Sequence, residues 1–141
     1  MIVYFDTSAF VPLIVKENAS DMCLQLWQAA DQIVATRLLF VETSAALARA
    51  KRSNRISDRA LAKAAVLRDE LWTNVSVIEV DQALMLRASE VAVEHTLRGY
   101  DSVHCAAADL LVDSELVAAT GDRHLLAAWQ ALGVATFAVE N

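Results

Sequence analysis

Short apolar segments alternate with longer helical segments along most of the chain, and this alternation limits the folds open to it. Five short segments are rich in β-branched, aromatic or other apolar residues, as buried strands are: residues 2–6, 32–36, 75–80, 116–120 and 134–138. Longer stretches between them predict helices over residues 20–30, 38–52, 57–72, 82–96, 101–112 and 122–132. Strands that alternate with helices form a parallel sheet covered on both faces. We therefore predict an α/β fold, a three-layer α/β/α sandwich with a parallel sheet of about five strands.

Length and composition exclude several classes of protein. The chain has 141 residues, is 56% hydrophobic, and contains only 3 Gly and 1 Pro, so we expect one ordered domain over residues 1–141. No apolar run approaches the ~20 residues that a membrane span needs. Asp6 and Pro12 interrupt the apolar N-terminus where a signal peptide would be continuous, which predicts a cytoplasmic protein. Cys23 and Cys105 lack metal-site spacing and are expected to be buried, reduced thiols.

Four acidic residues fall near the ends of predicted strands or the starts of predicted helices. Asp6 follows the first strand, Asp122 follows the fourth in ATGD, and Asp101 opens a helix after the RGY loop. Each of these aspartates also suits a helix N-cap. Glu42 lies one turn into the helix after the second strand, among apolar neighbours, where a glutamate is costly unless it is paired or bound to a metal. Ligands of open parallel sheets bind beyond the carboxyl ends of the strands, so the topology would bring the four acids together.

A cluster of four carboxylates would need a compensating cation. Two unit charges ~5 Å apart repel by about 3 kcal/mol at an effective dielectric constant of 20. Oxygen ligands without histidine or thiolate favour Mg²⁺ or Mn²⁺. A cation of this kind activates water and clamps phosphate oxygens, so the acids indicate phosphoryl chemistry.

Basic residues are concentrated in one segment of an otherwise acidic chain. The net charge is −6, yet residues 49–68 contain seven Lys and Arg and one acid, Asp58. Such asymmetry is typical of a protein that holds phosphates in one place and a cation in another. A solvated helical face explains the same pattern, and the sequence leaves both interpretations open.

Four stretches that contain the acids resemble the motifs of PIN-domain ribonucleases, in particular the toxins of VapBC toxin–antitoxin pairs. The stretches are FDTSAF, TRLLFVETSAALAR, RGYDSVHCAAA and ATGDRHLLAAWQALGV, and the resemblance runs nearly from end to end. It implies a PIN-like fold and a Mg²⁺-dependent endoribonuclease, with Mn²⁺ as a substitute ion. A metal-activated water would hydrolyse an RNA phosphodiester and leave a 5′-phosphate and a 3′-hydroxyl.

The resemblance also assigns roles to particular residues. The four acidic positions of the family correspond to Asp6, Glu42, Asp101 and Asp122, with Asp6 and Asp101 as direct metal ligands. Glu42 and Asp122 would act through water or a second ion. Polar positions beside the site correspond to Ser8 and Thr120. His104 lies one turn inside a helix and is expected to be structural.

Partners follow from the resemblance as well. It implies an RNA substrate, a cognate VapB-type antitoxin, a homodimer and no membrane. The candidates for RNA contact are Arg49, Lys51, Arg52, Arg55, Arg98, Tyr100 and Arg123. Arg98 and Arg123 flank the acids and suit ion pairs with them equally well, while Tyr100 suits either base stacking or loop packing. Apolar residues in excess of one small core predict interfaces at residues 9–15 and 38–72.

Functions of other classes fit less well. A two-component receiver domain would need a second acid beside Asp6 and a lysine after the last strand, and the chain has no lysine beyond Lys63. A phosphatase with a D-x-D nucleophile fails because Ser8 stands two residues after Asp6. The alternative that remains is a non-catalytic PIN-like module that binds RNA or another protein.

Overall fold

Five parallel strands form one sheet in the computed structural model, which describes residues 1–111 and 113–141. The strands are β1 (Ile2–Phe5), β2 (Gln32–Thr36), β3 (Val75–Ile78), β4 (Leu116–Thr120) and β5 (Thr136–Ala138), in the spatial order β3-β2-β1-β4-β5. The predicted bounds of β2 and β4 are confirmed, and the other three strands are one or two residues shorter than predicted. β1 stops at Phe5 because Asp6 turns out of the strand to cap the next helix.

Helices occupy the connections between the strands, as predicted. They are α1 (Thr7–Phe10), α2 (Ser20–Ala29), α3 (Leu38–Arg52), α4 (Asp58–Trp72), α5 (Gln82–His95), α6 (Gly99–Leu111) and α7 (Arg123–Ala131), with a 3₁₀ turn at Val11–Leu13. Aspartate caps two of the longer helices, since Asp81 accepts a hydrogen bond from the Leu84 N–H and Asp122 accepts one from the Leu125 N–H.

The start of α6 differs from the prediction. The helix begins at Gly99, two residues earlier than expected, so Asp101 lies in the first turn and is not the cap. The early start leaves the Asp101 carboxylate on the helix surface, free of backbone capping. The predicted end of this helix, at residue 112, lies outside the described residues.

Alternate residues of β1 face two different cores. Tyr4 packs with α5, α6 and α7 on one face of the sheet, around the fully buried Trp129. Val3 and Phe5 pack on the opposite face with α2, and the neighbouring cluster around Phe10 joins α3 and α4 to that face. The sheet therefore lies between two helical layers, and the predicted three-layer α/β/α sandwich is confirmed.

The strand order reverses beside β1. The chain places β2 and β3 on one side of β1 and then crosses to place β4 and β5 on the other. Phe5 pairs with Ala119, so the ends of β1 and β4 lie side by side. A crevice opens at such a switch point, where the connections from the two strands turn in opposite directions.

Within the described parts of the chain, no helix combines the length and the apolar character needed to span a bilayer. Cys23 and Cys105 are buried free thiols, as expected. Burial raises the pKa of Cys23 to about 11 and that of Cys105 to about 12, so both stay protonated at neutral pH.

Replacing Trp129 by alanine should test the core on the α5–α7 face. We expect Trp129→Ala to lower the free energy of unfolding by about 3–5 kcal/mol, since a fully buried indole leaves a large cavity. Val93 is 84% exposed on α5, so the control Val93→Ala should change stability by no more than about 0.5 kcal/mol. Urea unfolding measures both, and equal losses in the two variants would contradict this account of the core.

Candidate active site

All four predicted acids line one cleft at the carboxyl ends of β1 and β4. The cleft has a volume of about 530 Å³, and its acidic side chains are those of Asp6, Glu42, Asp101, Asp122 and Glu17. Asp6 follows β1, Asp122 follows β4, Glu42 comes from α3, and Asp101 comes from α6. Four separate elements therefore bring the predicted acids to the switch point of the sheet. Their catalytic roles remain predictions.

Asp6 is the most enclosed of the four acids, with 5% of its surface exposed. Its Oδ1 accepts hydrogen bonds from the Ser8 hydroxyl at 2.7 Å and from the Ala9 N–H at 3.0 Å, and its Oδ2 accepts one from the Thr120 hydroxyl. Burial raises the pKa of Asp6, although the charge of His104 and these hydrogen bonds act in the opposite direction. The residue is thus both the cap of α1 and a lining residue of the cleft.

The predicted supporting residues Ser8 and Thr120 join the two strand ends. The Ser8 hydroxyl accepts a hydrogen bond from the Gly121 N–H at 2.7 Å, and the Thr120 hydroxyl accepts one from the Asp122 N–H at 2.9 Å. A Cβ atom on Gly121 would lie 3.4 Å from the Ser8 Oγ, at van der Waals contact with it. The hydroxyls therefore fix Asp6 relative to the backbone that carries Asp122.

Glu42 pairs with His104, which the sequence predicted to be a structural residue. Its Oε1 lies 2.6 Å from Nε2 of His104, a side chain with 2% exposure. Burial opposes a charge on His104, but the hydrogen bond with Glu42 and the charges of Glu42, Asp6 and Asp101 outweigh it and raise the pKa of His104. One pattern could have located this histidine, because it follows Asp101 by three residues on α6 and so shares a helix face with it.

Asp101 and Asp122 influence each other across the cleft. Burial raises the pKa of Asp101, the charge of Asp122 adds to the increase, and Arg98 and His104 oppose it. Arg98 lies 3.5 Å from Oδ2 of Asp101, but its side chain is 88% exposed, so this ion pair contributes little to stability. Arg98 therefore compensates the charge of Asp101 only weakly.

The candidates for RNA contact occupy different places. Arg49, Arg55 and Tyr100 line the cleft with the acids. Lys51 pairs with Asp58 at 3.2 Å, and Arg52 is exposed on the surface of α3.

Two further candidates lie beside the cleft. Arg98 lines an adjoining groove that shares Glu42, Arg49 and Tyr100 with it, and Arg123 lines a third depression beyond Asp122. Lys16 also lines the cleft, and sequence reasoning missed it because it stands alone between apolar residues and an acid.

The donor set of the cleft fits a hard divalent cation. The donors are carboxylate oxygens, and the buried Asp6 and the half-buried Asp101, whose pKa values are raised, would both gain from a nearby positive charge. Among the described residues, no three His, Cys, Asp or Glu side chains stand close enough together to hold a metal ion between them.

Comparison with known proteins agrees with the fold and with the predicted family. The sequence profile of the PIN domain matches residues 3–129. The chain therefore belongs to the PIN-domain family.

Relatives within that family include ribonucleases. Ribonuclease VapC45 of Mycobacterium tuberculosis is 37% identical to this chain over 124 residues, which cover 88% of this chain and 86% of the relative. The chain is thus a homologue of the VapC ribonucleases.

Solved structures of similar fold include proteins that carry the VapC or VapBC name. VapC20 of M. tuberculosis, described as a Sarcin-Ricin loop cleaving toxin, has a TM-score of 0.67 at 24% identity, covering 89% of this chain and 94% of its own. VapBC2 of Rickettsia felis, bound to a DNA fragment from its promoter, has a TM-score of 0.66 at 13% identity. The match covers 99% of this chain and 100% of that structure's chain. These structures share the fold of this chain.

Replacing Thr120 by valine should reveal how much its hydroxyl stabilises the junction of the two strand ends. Thr120→Val keeps the side-chain shape and removes the hydroxyl that donates to Asp6 and accepts from the Asp122 N–H, so we expect the free energy of unfolding to fall by about 1–3 kcal/mol. Thr43 is equally buried, and its hydroxyl has no hydrogen-bond partner among residues 1–111 and 113–141. The matched control Thr43→Val should therefore be neutral or stabilising in urea unfolding at pH 7. A loss in Thr120→Val no larger than in this control would refute the role given to the Thr120 hydroxyl.

Proposed function

We propose that the protein is a divalent-metal-dependent endoribonuclease that acts as the toxin of a type II toxin–antitoxin pair. The observation that carries this proposal is the meeting of Asp6, Glu42, Asp101 and Asp122, from four separate elements, in one cleft at the switch point of the sheet. The relationship of this chain to the VapC ribonucleases supports RNA as the substrate.

Asp6 and Asp101 would hold Mg²⁺, or Mn²⁺ in its place, with Glu42 and Asp122 acting through water or at a second ion. When bound, the cation supplies an activated water and stabilises charge on the phosphate oxygens. Ser8 and Thr120 keep the Asp6 carboxylate in one orientation through their hydrogen bonds. His104 holds the Glu42 carboxylate through the contact between Nε2 and Oε1.

Basic and aromatic side chains around the acids are suited to single-stranded RNA. Arg49 and Arg55 line the same cleft and would neutralise RNA phosphates on either side of the cleaved bond. Hydrolysis of that bond would leave a 5′-phosphate and a 3′-hydroxyl. The exposed ring of Tyr100 offers a face on which a base can stack.

The partners we propose are a VapB-type antitoxin and a second copy of the chain. Exposed apolar side chains on α3 and α4, Val41 and Val66, support contacts along the predicted interface of residues 38–72. The fold shared with VapBC2 of R. felis supports an antitoxin partner. A cationic side chain of the antitoxin would suit the acidic cleft as a counter-ion. We also propose that residues 1–141 act as one PIN domain in the cytoplasm.

One observation favours the alternative of a non-catalytic module that binds RNA or protein. No three His, Cys, Asp or Glu side chains among the described residues stand close enough together to hold a metal ion between them. Incubating the protein with structured RNA in Mg²⁺, in Mn²⁺ and in EDTA separates the two functions. Cleavage that EDTA abolishes supports the nuclease, whereas binding without cleavage under all three conditions supports the module.

Removing one carboxylate charge should abolish cleavage without unfolding the protein. We expect Asp6→Asn and Asp101→Asn each to lower the cleavage rate by more than about 100-fold, since several kcal/mol of transition-state stabilisation would be lost. Cleavage of a labelled RNA under single-turnover conditions measures the effect. The control is Asp81→Asn, which changes an exposed aspartate that caps α5 outside the cleft. Undiminished cleavage by Asp6→Asn or Asp101→Asn would remove that residue from the site.

The stability of Asp6→Asn should depend on pH in a defined direction. Because folding raises the pKa of Asp6, its charged form costs stability above the folded-state pKa, and this cost disappears below the ordinary pKa of aspartate. We therefore expect Asp6→Asn to be as stable as the wild type or more stable at pH 7, with the difference vanishing as the pH falls. Thermal unfolding of both proteins across pH measures the stability difference between variant and wild type. If the variant gained stability relative to the wild type as the pH fell from 7, the predicted pH dependence would be wrong.

Arg49 and Arg55 should contribute measurably to RNA affinity. Replacing both by alanine should weaken binding and reduce the slope of log affinity against log salt concentration by about 1.4, since each phosphate contact with a single strand contributes about 0.7. Arg59 and Lys63 are exposed on α4 and provide a matched control of equal charge, for which we expect an unchanged slope. Equal salt slopes for the two double variants would indicate that Arg49 and Arg55 make no phosphate contacts and that the basic segment is a solvated face.

A further inference from the structure

A chain of three side chains runs from the core to the cleft. The hydroxyl of Tyr4 lies 2.6 Å from Nδ1 of His104, and Nε2 of the same ring lies 2.6 Å from Oε1 of Glu42. Tyr4 is in the central strand β1, His104 is in α6, and Glu42 is in α3. The connection therefore joins three elements and ends on an acid of the cleft.

The chemistry of the three groups determines which atom donates in the hydrogen bond between His104 and Glu42. A carboxylate oxygen only accepts, so Nε2 of His104 must carry the proton and donate to Glu42. Nδ1 then exchanges a hydrogen bond with the Tyr4 hydroxyl, which can donate or accept. Both ring nitrogens are occupied, and their partners select one orientation of the imidazole.

Aromatic packing keeps the imidazole in that place. The ring of Tyr4 meets His104 edge to face at 5.9 Å and meets Trp129 edge to face at 5.7 Å. Trp129 is itself held, since its indole N–H donates to the Cys105 carbonyl at 3.2 Å. The histidine thus rests on a rigid part of the core.

Glu42 differs from the other acids in how it is held. Backbone N–H groups at helix starts orient Asp6 and Asp122. Glu42 reaches the cleft on a longer, more flexible side chain, and among residues 1–111 and 113–141 its hydrogen-bond partner is His104. Its orientation therefore depends on the imidazole.

We propose that His104 is a positioning residue that holds the Glu42 carboxylate in the orientation the cleft requires, with Tyr4 as its anchor in the core. The inference rests on the proposed nuclease function for its effect on cleavage. The contact itself does not depend on that function, so the two can be tested separately.

Two substitutions at His104 separate the hydrogen bond from the bulk of the ring. In His104→Gln the amide N–H₂ can reach the position of Nε2 and still donate to Glu42. In His104→Asn the shorter amide reaches only the position of Nδ1, beside Tyr4, and the contact with Glu42 is lost. Tyr4→Phe keeps the aromatic packing and removes only the anchoring hydroxyl. His95→Asn, near the end of α5 and outside the cleft, is the matched control.

We expect His104→Asn to lower kcat by about 10–100-fold with little change in KM for RNA, as loss of an outer-shell partner typically does. Affinity for Mn²⁺ in the absence of RNA, measured by calorimetry, should fall by a similar factor. His104→Gln should recover most of both quantities, and Tyr4→Phe should show a smaller loss that disappears in the His104→Asn background. His95→Asn should match the wild type.

Two results would overturn the proposal. One is wild-type kcat and Mn²⁺ affinity in folded His104→Asn; the other is an equal loss in His104→Gln and His104→Asn, which would indicate a purely structural ring. Should His104→Asn fail to fold, the loss or retention of kcat in Tyr4→Phe decides in its place.

Imidazole ¹⁵N and ¹H resonances distinguish failure of this proposal from failure of the proposed function. Glu42→Ala removes the acceptor, so the Nε2–H proton resonance of His104 should move clearly upfield, in a measurement that needs neither metal nor RNA. A wild-type protein that cleaves no RNA in Mg²⁺ or Mn²⁺ would overturn the nuclease, while the resonance would still report on the contact. An unchanged resonance in Glu42→Ala would overturn the positioning role.

Discussion

The burial of the Asp6 carboxylate at the end of the central strand is the constraint on which the site depends. A carboxylate with 5% exposure is tolerated only because hydroxyl and backbone donors surround it. Those donors come from the start of α1 and from the end of β4, so satisfying one buried charge also fixes the geometry of two connections. The cleft forms where these connections diverge, and the other acids reach it from α3, α6 and the turn after β4.

Capping and site formation are the same event for two of the acids. Asp6 and Asp122 each accept a hydrogen bond from the backbone at the start of a helix, as cap residues do, and each lines the cleft. The sequence presented capping and ligand binding as competing interpretations. In a parallel α/β sheet the two interpretations are compatible, because the helix that follows a strand begins at the carboxyl edge where ligands of such sheets bind.

Periodicity and topology predicted the features that depend on local sequence. The bounds of α3, β2 and β4 match the predictions, and the edge rule for parallel sheets was sufficient to place all four acids together. The pairing of Glu42 with His104 could not be predicted, because the two residues are 62 positions apart and their contact depends on how α3 and α6 pack. Similarly, only the packing of α3 and the following turn decides that Arg49 and Arg55, and not Arg52, line the cleft.

The hydrogen bonds of Asp6 also limit what its carboxylate can still accept. An ionised aspartate has about four lone-pair sites, and the donors from Ser8, Ala9 and Thr120 occupy three of them, two on Oδ1 and one on Oδ2. A single vacancy remains, on Oδ2. Any group that required both oxygens of this carboxylate would have to displace the α1 cap or the serine hydroxyl, so the fold itself restricts Asp6 to one-point contact with whatever enters.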